Sequence, residues 1–230
     1  AGKGEVVAGG RGQGSGLGQL DEPSGLFVDG TGNIYVAEAG NHRVTCWSPG
    51  ALQGEVVAGG NGQGDGPSQL DDPWGVFVDG AGAVYVSEVG NARVTRWTTG
   101  TGYGEVVAGG HGQGDDLWQL GEPRGLLVEA DNAVVIAETA NDRISRWRPN
   151  AKRGEIIAGG RGSGDYPWQL NAPAGLCTDA DGALYVVESE HHRVVRWAPG
   201  AEAGEVVAGG QGFGSGRRQL AAPWGIFVVS

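Results

Sequence analysis

Eleven residues, GEVVAGGRGQG from Gly4 to Gly14, recur with small changes from Gly54, Gly104, Gly154 and Gly204, each copy fifty residues after the last. A strict period of this length restricts the chain to a solenoid, a propeller or an array, because each repeat is one supersecondary unit that buries its apolar face only against neighbours. The repeats begin near residues 1, 51, 101, 151 and 201, so the 230 residues hold four full periods and thirty residues of a fifth.

Read from Pro23, one period divides into four short β-like runs: GLFVD (25–29), NIYVAE (33–38), RVTCW (43–47) and GEVVAGG (54–60). Asp29-Gly30-Thr31-Gly32, Asp79-Gly80-Ala81-Gly82 and Asp179-Ala180-Asp181-Gly182 are tight-turn sequences that join the first two runs as a hairpin. Ser48-Pro49-Gly50 and Ala198-Pro199-Gly200 break the chain after the third run, and a glycine-rich crossover leads from the fourth run into the next unit. No stretch sustains a helical period. The chain is therefore predicted to be all-β.

The pattern Pro-x-Gly-Leu-x-Val-Asp followed by Tyr-Val-x-Glu-x-x-Asn-x-Arg-Val resembles the NHL repeat. Here it reads PSGLFVDGTGNIYVAEAGNHRV (23–44), PWGVFVDGAGAVYVSEVGNARV (73–94), PRGLLVEADNAVVIAETANDRI (123–144) and PAGLCTDADGALYVVESEHHRV (173–194). Val135 departs from Tyr, Glu129 from Asp and His191 from Asn. The resemblance implies a β-propeller of four-stranded blades, each about fifty residues long, with the first strand lining the central axis and the fourth outermost. Residues 1–230 are then one propeller domain: a fourth strand at 4–10, four complete blades, and a lone first strand at 224–229. The partial fifth blade lacks its middle strands, so the ring is expected to close imperfectly or through self-association with a second copy.

Charge narrows the function classes. The formal net charge of −11, from 27 acidic and 16 basic residues, opposes a nucleic-acid or anionic-membrane role. No run of about 18 apolar residues forms a membrane-spanning helix. The first ten residues already lie inside a repeat, which leaves no signal peptide and predicts a chain cut from something longer. Compartment is not readable. Cys46 stands where other units carry Arg96, Arg146 and Arg196, and Cys177 where they carry Phe27, Phe77, Leu127 and Phe227, so one thiol is expected at the surface, the other inside, and no disulfide between them.

Residues that repeat point to structure. Gly9, Gly10, Gly12, Gly14, Gln19, Leu20, Pro23 and Gly25 are identical in all five copies, as a shared crossover requires. The glycines lead to Gln-Leu-x-x-Pro instead of Gly-Lys-Ser/Thr and a helix, which is the wrong context for cradling a phosphate. Glu38, Glu88, Glu138 and Glu188 precede Arg43, Arg93, Arg143 and Arg193 by five residues, a spacing that lets each pair meet across the second and third strands. The sharper alternative is four arginines holding an acidic ligand. Trp47, Trp97, Trp147 and Trp197 are expected to pack between blades, with a per-blade sugar platform as the alternative.

Residues that differ point to specificity. The crossover and the Glu-x-x-Asn-x-Arg loop fall on one face of a blade, and three positions there vary: Ser24, Trp74, Arg124, Ala174, Trp224; Gly18, Ser68, Trp118, Trp168, Arg218; and Arg11, Asn61, His111, Arg161, Gln211. Trp74, Trp118, Arg124, Trp168, Arg218 and Trp224 form the candidate binding set, being of the residue types that dominate interaction hot spots. Propeller enzymes of similar architecture, lactonases and amidating lyases, hold a metal with His and carboxylates from different blades. His42, His111, His191 and His192 have no regular metal spacing. The expectation is a non-catalytic scaffold, without cofactor or metal, that presents this face to a protein partner. The alternative is a multivalent lectin with one weak glycan site per blade.

Overall fold

Valine-rich runs bounded by Asp-Gly and Pro-Gly turns form strands where their spacing places them. The computed structural model describes residues 4–228. Among these, sixteen strands make four sheets, each a consecutive antiparallel meander. The first blade comprises β1 (Pro23–Val28), β2 (Ile34–Glu38), β3 (Arg43–Trp47) and β4 (Glu55–Gly59). The second has β5 (Pro73–Val78), β6 (Val84–Glu88), β7 (Arg93–Trp97) and β8 (Gly104–Gly109). The third has β9 (Pro123–Val128), β10 (Val134–Glu138), β11 (Arg143–Trp147) and β12 (Glu155–Gly159), with a short 3-10 turn at Thr139–Asn141. The fourth has β13 (Pro173–Thr178), β14 (Leu184–Glu188), β15 (Arg193–Trp197) and β16 (Glu205–Gly209). No helix among the described residues is long and apolar enough to cross a membrane.

The hairpins are fixed by the chemistry expected of their Asp residues. Asp29 Oδ1 accepts from the amides of Thr31 and Asn33, each at 2.9 Å, and Asp79 and Asp179 repeat the arrangement. These bonds, led by the Thr31 hydroxyl, hold the Asp29 carboxyl well below its ordinary range. Glu129 is one methylene too long for the role. In its blade Asp131 accepts from the Ala133 amide instead, and Arg146 bonds both carboxylates.

The contacts divide the chain into two compact units, Ala1–Val107 and Ala108–Ser230. In the first, Ala37, Val44 and Ala58 from the first blade pack against Val76, Val78, Val84, Val86 and Trp97 from the second, with Leu70 of the crossover between them. The apolar core is thus the joint between blades. The first strands of successive blades touch backbone to backbone: a Cβ on Gly25 would strike the Trp74 carbonyl, one on Gly125 the Ala174 carbonyl, and one on Gly175 the Trp224 carbonyl. That contact is why the Pro-x-Gly glycine recurs.

Two expectations change. Neither residues 4–10 nor 223–228 form a strand, and residue 229 lies outside the described residues. A first strand draws its ladder from a second, and no such partner stands beside 223–228 among the described residues; Trp224 nevertheless takes the place beside Gly175 that a first strand would hold. Cys46 is half-buried, as is Cys177, and burial raises both thiols above their ordinary range. The Cys46 side chain is shorter than the arginines it replaces, and Tyr35 covers it.

Candidate functional site

Each blade centres on a wholly buried glutamate. Glu88, at the end of β6, lies opposite Arg93, the first residue of β7, as the five-residue spacing predicts. Its Oε1 accepts from Arg93 Nε at 2.9 Å and from the Thr95 hydroxyl at 2.8 Å, while Oε2 accepts from the Asn91 amide and the Asp71 backbone N–H. Thr95 in turn accepts from Trp97 Nε1 at 3.0 Å. Arg93 Nη1 donates to the Asp65 carbonyl at 2.7 Å, and Asn91 to the Gly64 carbonyl at 2.9 Å. The network therefore straps the crossover onto the blade, and the first blade repeats it. The four arginines are buried in these bonds, which leaves no guanidinium free to hold an acidic ligand. Trp47, Trp97, Trp147 and Trp197 are buried too, so the repeated aromatics form packing, not a sugar platform.

The glycines of the crossover enclose a side chain. Gln69 Nε2 donates to the carbonyls of Asn61 and Gln63, each at 3.2 Å, and a Cβ on Gly64 would occupy the space of that amide. Gln19, Gln119, Gln169 and Gln219 sit the same way. The repeated GxG is the wall of a glutamine pocket.

The candidate binding residues fall into distinct settings. Trp118 and Trp168 stand out from their crossovers, 49% and 39% exposed, and Arg218 is exposed at the same position of the last copy. Trp74 and Arg124 are half-buried in β5 and β9. The structure brings Arg124 together with Trp224, its guanidinium 4.7 Å from the ring centre and 3.3 Å from the Glu122 carboxylate. Trp168 meets a residue the sequence reading missed: Tyr166 stacks on it, rings nearly parallel and 4.9 Å apart. Tyr166 replaces Gly16, Gly66, Asp116 and Gly216, and that substitution was the available signal.

Beside this pair lies a groove of about 360 Å³, bordered by Ile156 to Gly160 along β12, with Trp168 on one side, Trp197 and Ala201 on another, and Arg161 and Glu202 contributing charge. The 161–170 crossover is also held unlike the others. Gly14, Gly64, Gly114 and Gly214 each donate a backbone bond to the leucine six residues on, whereas among the described residues Gly164 has none. Arg193 bonds only Glu188, with no crossover carbonyl. Val195 stands where Thr45 and Thr95 supply a hydroxyl, leaving Trp197 Nε1 buried without a partner. Burial pushes Glu188 above its ordinary range, against the pull of Arg193 and His191. His191 replaces the asparagine, its Nδ1 3.0 Å from Glu188 Oε2 and its Nε2 3.4 Å from Asp165 Oδ1.

With this geometry in place, the NHL repeat model matches residues 20–47 and 170–197, the first and fourth of these blades. Two stretches of the chain thus match the NHL repeat. Solved structures agree in fold. A chain of a nidogen–laminin complex matches at 17% identity and a TM-score of 0.66 over 90% of this chain and 68% of that one. A virginiamycin B lyase from Staphylococcus aureus matches at 16% identity and 0.55, and a gluconolactonase from Xanthomonas campestris at 17% and 0.59. The present chain is covered to 84% and 80% in these two and spans 57% of the lyase and 61% of the gluconolactonase. At such identities the likeness is one of fold, that of propeller blades. No curated protein matches the chain in sequence. Among the described residues, no three His, Cys, Asp or Glu side chains converge as a metal site requires.

Proposed function

We propose that residues 1–230 form one propeller-type binding module, non-catalytic, that engages a protein partner through the crossover face. Trp118, Trp168 and Arg218 are the exposed contacts, with Trp74, Arg124 and Trp224 at the first-strand positions. The observation that carries this reading is the exposure of the stacked Tyr166–Trp168 pair beside a groove, a pair that no other copy builds at these two positions. Large aromatics displayed on a rigid frame are what interaction hot spots are made of, because they bury much area with little loss of side-chain freedom. That one of the similar chains comes from a nidogen–laminin complex supports a protein partner at the level of fold. The breaks in internal symmetry are mostly aromatic and basic, which favours recognition over a reaction needing unlike groups at one point. Self-association through exposed Leu26, Val28 and Phe227 belongs to the same proposal, and a strict monomer in light scattering at high concentration would remove it.

The test sets the chain and a Trp118→Ala/Trp168→Ala double variant side by side on a protein array and a glycan array. Protein binding lost in a variant of unchanged melting temperature supports the module. Binding of one sugar, competed by the free monosaccharide, would replace the protein partner with a glycan, and turnover of a glycone or lactone substrate above background would replace binding with catalysis.

A further inference from the structure

The four loops that join second to third strands vary at three of their four positions, and at the remaining one three carry asparagine and the fourth carries histidine. Asn41, Asn91 and Asn141 each donate at once to the buried glutamate of their blade and to a crossover carbonyl, Gly14, Gly64 and Gly114 respectively. An amide does this at any pH, since its two N–H groups do not titrate. In the fourth blade His191 holds that place, and it faces a carboxylate at each ring nitrogen. A neutral imidazole has a single N–H and satisfies one of the two as donor; an imidazolium has two and satisfies both.

We propose that His191 is a proton-operated tether for the 161–170 crossover, joining Asp165 to the blade when protonated and releasing it when neutral. The proposal rests on reading the Tyr166–Trp168 pair as a binding face, and it names how that face is regulated. The two carboxylates are not equivalent. Glu188 is wholly buried and held by both Arg193 Nε and Nη2 and by the Asn171 amide, so it keeps its place whatever the imidazole does. Asp165 has a side chain 89% exposed, and water replaces a lost partner there at little cost. The other charged groups nearby do not compete: Glu190 is exposed on the same loop, and His192 accepts the Ala222 amide at Nδ1. With the Gly164–Leu170 bond and the arginine strap both missing, this crossover is held by the Gly204 N–H bond to the Pro167 carbonyl at 2.7 Å and, at residue 165, by the contact of His191 with Asp165. Asp165 adjoins Tyr166 in sequence, so the tether acts on the stacked pair directly.

The sign follows from the chemistry. The tether is closed while the imidazole carries both protons and opens as rising pH removes one. Amide hydrogen exchange of the whole chain, corrected for the intrinsic pH dependence of exchange, reads it without any partner. Protection at the Tyr166 and Gln169 amides, which donate to Gln169 Oε1 and to the Tyr166 carbonyl, should fall by about two- to fivefold between pH 5.5 and 8, the effect of one exposed ion pair. The 111–120 crossover, strapped by Asn141 and Arg143, should not change. His191→Asn should leave protection equal at both pH values, and Asp165→Asn should abolish the pH response. Wild-type protection that does not move with pH, or moves equally in His191→Asn, overturns the tether. Because exchange is read without a partner, that failure is separate from a failure of the array experiment.

Discussion

The second and fourth blades share a backbone plan and differ in how their polar interiors are completed. In the second, Trp97, Thr95, Glu88, Arg93 and Asn91 form an unbroken chain of hydrogen bonds that ends on crossover carbonyls. In the fourth, Val195 and His191 interrupt that chain at both ends, and the crossover above it is the one that bears the stacked aromatics. The comparison teaches that the buried network does two jobs: it satisfies a buried glutamate, and it fixes the surface segment above. In the second blade the segment is plain, and in the fourth it carries large side chains.

The largest expected effect comes from removing the hub. Glu88→Ala leaves Arg93 buried and unpaired and should destabilise by about 3–5 kcal/mol in denaturant unfolding. Glu188→Ala should cost at least as much, because Arg193 then keeps no partner among the described residues while Arg93 keeps the Asp65 and Gln69 carbonyls; a clearly smaller loss would break the distinction between the blades. Next in size, Thr95→Val copies the fourth blade into the second and should cost about 1–3 kcal/mol, since Trp97 Nε1 is left buried and unsatisfied. The reverse change, Val195→Thr, should add about 0.5–1.5 kcal/mol by giving Trp197 and Glu188 their missing hydroxyl, and a loss of stability would show that the site has no room to complete the network. Smallest is the acid response of the hairpins. Asp29 and Asp179 are held below their ordinary range, by the Thr31 hydroxyl and the Ala183 amide foremost, so their stabilisation is present above the unfolded carboxyl pKa and is lost as pH falls through the folded value. Melting temperature should therefore drop below about pH 4, and less steeply in Asp29→Asn.

Much of this was legible in the sequence because repetition exposes geometry. A Glu and an Arg five residues apart, flanking a turn four times over, can only face one another, and their pairing followed. The strand order and the hairpin Asp residues were legible for the same reason. Burial was not: spacing places Arg43 opposite Glu38 without revealing that Ser15, Gly16 and Gln19 carbonyls cover its outer side. Tyr166 escaped because its meaning depends on stacking against Trp168, which no period encodes. His191 was visible as a departure from Asn, and only the position of Asp165 gives it a second partner. The lone first strand expected at 224–229 rests on sequence likeness to β1, yet a ladder needs a neighbour, and likeness supplies none.

The glutamine pocket has a consequence for chemical ageing. Gln69 points an NH2 group at two carbonyl oxygens, and hydrolysis of that amide would put an oxygen in its place with no change of shape. The resulting carboxylate would face two acceptors at hydrogen-bond distance inside a wall of glycines that has no side chain with which to answer it. Because the same pocket is built five times, the chain holds five separate positions at which deamidation would undo a crossover from within.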